Sequence, residues 1–178
     1  MEPTPGRIEL GPSNADLLLH TTCEGAMARM GHDLTLEVRD WTGELVVGAT
    51  PSESQLKVTA QLGSLAVRES RGGSKEVSDG DRAAILKNAA SSMGVAKQPQ
   101  LVFTATSITG TWDRGRVEGA LSLNGRSEVQ AFDVAAVEDG WRLSGVMSQG
   151  RYGIKPYSAL MGALRVADVV DVEVTLTI

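Results

Sequence analysis

Several kinds of residue are scarce in this chain of 178 residues, and each scarcity removes a class of function. Cys23 is the single cysteine, so no disulfide can form within the chain. His20 and His32 are the two histidines, which is thin material for a zinc site, and we predict no bound metal. Lysine and arginine form no run and the net charge is −5, so we expect no nucleic acid partner.

Long apolar segments are missing as well. No apolar run approaches the ~20 residues that a membrane span requires. Residues 1–12 contain three prolines and lack the apolar core of a secretory signal. We therefore expect a cytoplasmic protein with no integral membrane segment. The length predicts one domain, which we divide into an N-terminal arm over residues 1–14 and a barrel domain over residues 15–178.

What the chain has instead is alternation of apolar and polar residues, the pattern of half-buried strands. It is clearest over residues 32–39, where one face of the predicted strand carries His32, Leu34, Leu36 and Val38. Further strands are predicted over residues 7–10, 15–24, 41–48, 55–67, 100–110, 117–123, 129–134, 141–147 and 169–178. The hairpin signals Asn124-Gly125 and Asp139-Gly140 separate neighbouring strands.

This pattern predicts an all-β fold with one helix. An antiparallel eight-stranded barrel fits best, and such a barrel is either filled by side chains or holds one small ligand. A packed sandwich would have an equally aliphatic core. The helix is predicted over residues 78–93, with Ser78 as its cap and one apolar stripe made of Ile85, Leu86, Ala89, Ala90 and Met93. We expect this amphipathic helix to cover one end or side of the barrel.

Motifs for catalysis are weak, and we predict that the protein is not an enzyme. Gly72-Gly73-Ser74-Lys75, in a predicted loop over residues 69–78, does not match the spacing of a phosphate-binding loop. His20 is expected to face solvent or a neighbouring strand. Asp33 points away from the face that carries His32, so it cannot orient that ring as a catalytic carboxylate would. An enzyme that uses His32 as acid or base on a lipid-like substrate remains an alternative.

Four segments, taken in order, resemble the YceI-like family of lipocalin-like barrels. They are Arg29–Leu34, Trp41–Leu45, Ser78–Ile85 with Pro99–Phe103, and Tyr152–Tyr157 with Gly162–Asp168. The resemblance covers about residues 15–178. It implies binding, transport or storage of a polyisoprenoid, a quinone-like or fatty lipid, or another long-chain amphiphile inside an apolar barrel. It implies no other cofactor, and a homodimer is a further expectation because family members commonly pair.

An apolar barrel cavity would be lined by inward side chains, with a few polar groups holding the ligand's head. His32 is the candidate for the head, while a structural histidine bonded to backbone is the alternative. The remaining candidates for ligand contact are Leu34, Leu36, Trp41, Phe103, Met147, Tyr152, Ile154, Tyr157 and Met161. If the barrel is filled instead, these are core residues, and the protein is a scaffold for a stress-related interaction.

Overall fold

Strands dominate the structure, as the alternation predicts. The computed structural model describes residues 2–177. Met1 and Ile178 lie outside the described residues, and Ile178 is the residue at which we expected the last strand to end. The strands are β1 (Gly6–Leu10), β2 (Ala15–Thr21), β3 (Cys23–Glu24), β4 (His32–Val38), β5 (Trp41–Val47), β6 (Gln55–Gln61), β7 (Leu65–Gly72), β8 (Gln100–Gly110), β9 (Arg114–Leu123), β10 (Arg126–Val137), β11 (Gly140–Ser148), β12 (Ser158–Ala159), β13 (Leu164–Val166) and β14 (Val169–Thr177). The helix is α1 (Asp79–Ser92), and five short 3-10 turns cover Ala28–Met30, Pro51–Glu53, Leu62–Ser64, Gly150–Tyr152 and Leu160–Gly162.

Eleven of these strands form one strongly curled antiparallel sheet, in the order β1-β5-β6-β8-β9-β10-β11-β14-β2-β4-β7. The prediction of an all-β fold with one helix is confirmed, and the curled sheet is consistent with a lipocalin-like barrel. The predicted number of eight strands is wrong. Eleven strands are counted because bends separate β1 from β2 and β4 from β5, and because a third bend divides the predicted strand over residues 55–67 into β6 and β7.

The bends lie between β1 and β2, between β4 and β5, and between β6 and β7. The bend between β4 and β5 is hydrogen-bonded to the bend between β6 and β7. The amide of Arg39 donates to the carbonyl of Ser64 at 3.3 Å, and the amide of Asp40 donates to Ser64 Oγ at 2.9 Å. Counted across the bends, the rows of paired strands number eight, and β14 pairs with β2. The sheet therefore curls back on itself around an interior.

The N-terminal segment is part of this sheet. β1 pairs with β5 over its whole length, from Gly6 opposite Val47 to Leu10 opposite Gly43. Leu10 is buried in the core. The expected boundary at residue 15 thus falls between two strands of one sheet, and it does not separate an arm from a barrel.

A second, small sheet contains β12, β13 and β3. The stretch 149–167, over which no strand is predicted, contains β12 and β13, and the predicted strand over residues 15–24 is interrupted before β3. The predicted loop over residues 69–78 is shorter than expected, because β7 continues to Gly72. Strands of two or three residues are too short for alternation to be recognised, so sequence reasoning misses them.

The helix begins where its cap Ser78 predicts. Ser78 Oγ accepts a hydrogen bond from the Asp81 amide at 3.1 Å, and an Asp81 carboxylate oxygen accepts from the Ser78 amide at 3.0 Å. These bonds to Ser78 hold the pKa of Asp81 below its usual value. Ile85, Leu86, Ala89 and Met93 pack against the core inside the curled sheet, while no helix residue is fully buried. The helix therefore lies against the curled sheet with its apolar residues toward the core.

Candidate functional site

The interior of the curled sheet contains a cavity, which we call the inner cavity. Its volume is about 180 Å³. Alternation along each strand explains its lining, because Val117, Leu121 and Leu123 of β9 point inward and are each no more than 4% exposed. β14 contributes Val172 and Val174 in the same way. The predicted apolar lining is therefore present in this interior.

The inner cavity is long. At one end its lining includes Pro51, in the turn that follows β5, and Trp112, in the turn that follows β8. At the other end it includes Met93, which caps the end of α1, and Met147, near the end of β11. Along β9 the lining runs from Gly115 to Leu123, a path of about 26 Å at ~3.3 Å per residue.

The inner cavity is also narrow. An apolar cavity of about 150 Å³ is large enough to bind benzene, whereas pockets for drug-sized ligands have about 300–1,000 Å³. A volume of about 180 Å³ spread along the sheet favours a slender chain over a bulky ring system. Met93 and Met147 lie in the lining, and methionine is the apolar side chain that most readily changes shape to fit a ligand.

All three tryptophans of the chain line the inner cavity. Trp141 Nε1 donates to the carbonyl of Trp112 at 2.7 Å, and the two rings lie 6.4 Å apart at a tilt of 55°. This pair closes the end at the β8–β9 turn. Trp41 Nε1 is buried and has no hydrogen-bond partner among residues 2–177. Tryptophan fluorescence will therefore report on the inner cavity.

Of the ten predicted contact residues, three line the inner cavity: Trp41, Phe103 and Met147. Leu36 is buried and Leu34 half-buried in the core, and neither is part of the lining. Tyr152 and Ile154 are buried in a second core cluster beside the cavity. Tyr157 and Met161 are exposed on the outer surface next to the small sheet.

His32, the predicted head-group contact, lies outside the lining of the inner cavity. Its Nε2 donates to the carbonyl of Lys75 at 2.7 Å, and the ring packs so closely on Gly73 that a Cβ there would collide with it. The reason is position: His32 is the first residue of β4, opposite the last residue of β7, so the loop after β7 covers the ring. The structure thus favours the backbone-bonded alternative.

The other residues with chemical potential are also engaged in structure. His20 Nδ1 lies 3.1 Å from Thr35 Oγ1 on the neighbouring strand, as expected. Cys23 Sγ donates to the carbonyl of His32 at 3.3 Å, and partial burial, followed by the charge of Asp33, raises the pKa of this thiol. Across residues 2–177 no cluster of three or more potential metal ligands is found, and no helix there is long and apolar enough to cross a membrane.

Sequence reasoning missed Gln130, a buried polar residue of β10 that lines the inner cavity. A signal for it was available. Gln130 shares its strand face with Phe132 and Val134, which are apolar and line the same cavity. A buried amide next to apolar residues on one face of a strand marks a residue whose hydrogen bonds need an explanation.

The chain is similar to known proteins in both sequence and structure. A family model described as the YceI-like domain matches residues 19–178. Burkholderia cenocepacia BcnA is similar in structure, with a TM-score of 0.66 at 13% identity over 90% of this chain and 93% of that one. The Campylobacter jejuni YCEI protein gives 0.52 at 16% identity over 67% and 70% of the two chains. Its mutant with a monobromobimane guest structure gives 0.53 at 16% identity over 78% and 82%. No curated protein sequence matches.

Proposed function

Because this chain belongs to the YceI-like family, we propose that it binds one long-chain amphiphile, with the chain inside the inner cavity. The ligand class is an isoprenoid, quinone-like or fatty lipid. The observation that carries the proposal is the inner cavity itself, an apolar space whose lining extends along β9 from Gly115 to Leu123. Trp41, Phe103 and Met147 are the proposed chain contacts among the residues that the sequence indicated.

The energetics of burying a hydrocarbon chain are sufficient for binding. Each methylene that leaves water contributes about 0.8 kcal/mol. About fifteen of them contribute roughly 12 kcal/mol, against an association cost of about 4–15 kcal/mol before any polar contact is counted. The gain exceeds the association cost over most of this range when Met93 and Met147 move aside to admit the chain, whereas a short apolar molecule gains less and binds weakly. This dependence on chain length is what a carrier or storage protein for a lipid requires.

Binding without turnover is the activity that we propose. The histidine that the sequence offered as an acid or base, His32, donates to the Lys75 carbonyl and lies away from the inner cavity. The narrow cavity also disfavours the scaffold alternative, because a filled barrel would leave no continuous apolar space. We keep homodimer formation as part of the proposal, since the sequence resemblance implies it.

Added ligand is expected to stabilise the protein, because it binds the folded chain alone. At a free polyprenol concentration about 100 times its Kd, the gain is about 2.7 kcal/mol. For a domain of this size that corresponds to a rise in Tm of roughly 5–10 °C. Differential scanning fluorimetry with a polyprenol in a mild detergent measures this rise, with the detergent alone as control.

Native mass spectrometry of the freshly purified protein, followed by solvent extraction, is the matching measurement without added ligand. It should find one lipid per chain and also reports whether two chains associate. A protein that carries no extractable lipid and whose Tm does not respond to polyprenols, fatty alcohols or fatty amides would contradict the proposed function.

A further inference from the structure

The wall of the barrel is incomplete between β10 and β11. These strands pair from Val137 opposite Gly140 to Asp133 opposite Ser144, and there the ladder stops. β10 nevertheless continues back to Arg126 and β11 on to Ser148. We call the unpaired parts, residues 126–132 of β10 and residues 145–148 of β11, the seam. Across the seam, the backbone N–H and C=O groups of β10 and β11 do not form the regular hydrogen bonds of a sheet.

Gln130 is the residue that bridges the seam. Its side chain is 6% exposed, and its Nε2 donates to the carbonyl of Val146 at 2.9 Å and to the carbonyl of Ala131 at 3.1 Å. Because both partners are carbonyls, the atom that faces them must be the amide nitrogen. The orientation of the amide is therefore fixed, with Oε1 turned away from these two carbonyls.

Gln130 Oε1 is free to accept a hydrogen bond. It accepts no hydrogen bond from the residues that the structure describes, although the amide nitrogen beside it makes two. It is not sealed off either, since the fully enclosed unpartnered side-chain atoms in that part of the chain are Trp41 Nε1 and Tyr152 Oη. A buried polar residue normally uses its acceptor as well as its donors. An accessible acceptor without a partner marks a place where a ligand can donate.

The seam also joins two spaces. Outside it lies a cleft of about 650 Å³, which we call the outer cleft. Gln130 and Val172 line both the inner cavity and the outer cleft. Gly145, which pairs with Val172, also lines the outer cleft, and the Phe132 ring and the Ala131 carbonyl lie so close to it that a Cβ there would collide with them. Two exposed apolar residues, Val129 and Val146, flank the outer side. An amphiphile can therefore lie with its chain inside and its head at the seam.

The charges of the outer cleft decide what kind of head fits. Four carboxylates line it, those of Glu118, Asp133, Asp171 and Glu173. Its two arginines are already paired: Arg116 lies 3.0 Å from Asp133, and Arg151 lies 3.1 Å from Glu128. A phosphate head would meet an excess of negative charge and no free guanidinium group, whereas an uncharged head meets no such penalty.

We propose that the seam is the head-group site, and that Gln130 Oε1 accepts a hydrogen bond from an uncharged donor head such as a hydroxyl or a primary amide. This inference rests on the proposed function, because it requires a chain in the inner cavity. It adds the chemistry of the head group, which is uncharged and donates a hydrogen bond. Gln130 is then a residue that determines which amphiphiles the protein selects.

The test compares three probes of the same chain length: a long-chain alcohol, its methyl ether and its phosphate monoester. Wild-type protein should bind the alcohol about tenfold more tightly than the ether, which cannot donate, and should bind the phosphate most weakly. Gln130→Met should remove the tenfold preference by weakening alcohol binding and should leave ether binding unchanged. Gln55→Met, which replaces an exposed glutamine of β6, is the matched control and should change neither affinity.

Unchanged ether binding also shows that the Gln130→Met protein is folded, although the substitution leaves the Val146 carbonyl without its partner. The head-group site is overturned if Gln130→Met weakens alcohol and ether equally, or if wild-type protein prefers the phosphate. If wild-type protein binds none of the three probes, the proposed function fails, and the head-group site fails with it. These two failures are distinguished by the wild-type titrations alone.

Discussion

Val58→Phe is expected to reduce the affinity for a long-chain alcohol by about fiftyfold. Val58 lies on β6 and lines the inner cavity. The cavity has a volume of about 180 Å³ and a lining that runs the length of the barrel, so a phenyl ring at this position blocks a narrow passage. The ring displaces about three methylenes of the ligand, and at ~0.8 kcal/mol for each methylene the loss is roughly 2.4 kcal/mol. Tryptophan fluorescence titration measures it.

Lys57→Phe is the matched control, because Lys57 is the preceding residue of the same strand and is exposed on the opposite face. It adds a ring of the same size outside the barrel and should leave the affinity unchanged. The ring of Val58→Phe enters existing space, so the protein should not lose the 1–3 kcal/mol typical of overpacked cores. Equal affinity of the wild-type protein and Val58→Phe would place the chain somewhere other than the inner cavity.

Tyr152 gives the second large effect, which concerns stability. Its side chain has no exposed surface and packs in the cluster that contains Phe103 and Met147. Tyr152→Ala should lower the free energy of unfolding by about 3–5 kcal/mol, the usual cost of removing a buried aromatic ring. Since Tyr152 does not line the inner cavity, ligand affinity of the folded fraction should change little.

Tyr152→Phe should act in the opposite direction. Tyr152 Oη is buried without a hydrogen-bond partner in the described part of the chain, and burial raises the pKa of this phenol. Removing the hydroxyl removes its desolvation cost, so we expect a gain of about 1 kcal/mol. Urea denaturation of the wild-type protein and both variants measures the two effects. A loss of stability in Tyr152→Phe would mean that the hydroxyl has a partner, and would contradict the burial described here.

The regular parts of the fold could be predicted from sequence because they follow from local rules. Alternation places Val172 and Val174 on the inner face, and the capping pair Ser78 and Asp81 fixes the start of α1. The bend at Ser64 could not be predicted, because Ser64 accepts hydrogen bonds from the amides of Asp40 and Arg39, which lie 24 and 25 positions earlier in the chain. Local patterns carry no information about such distant partners, so the strand count was wrong.

The candidate site was predictable in part for the same reason. Trp41, Phe103 and Met147 line the inner cavity because each lies within a strand of the curled sheet, where period two decides the direction of the side chain. Tyr157 and Met161 lie in a segment with no such period, where Leu160 and Met161 both adopt positive φ angles. Their direction depends on a local turn, and the expectation that they contact a ligand finds no support in their exposed positions.

One measurement tests the central claim most directly: quenching of tryptophan fluorescence by a long-chain alcohol that carries bromine along its chain. Trp41, Trp112 and Trp141 are the tryptophans of the protein, and all three line the inner cavity. A chain inside the barrel should quench their emission, and quenching should saturate at one chain per protein. The same alcohol without bromine controls for effects of binding alone. Quenching that is absent, or that rises without saturation, would contradict a single chain held in the inner cavity.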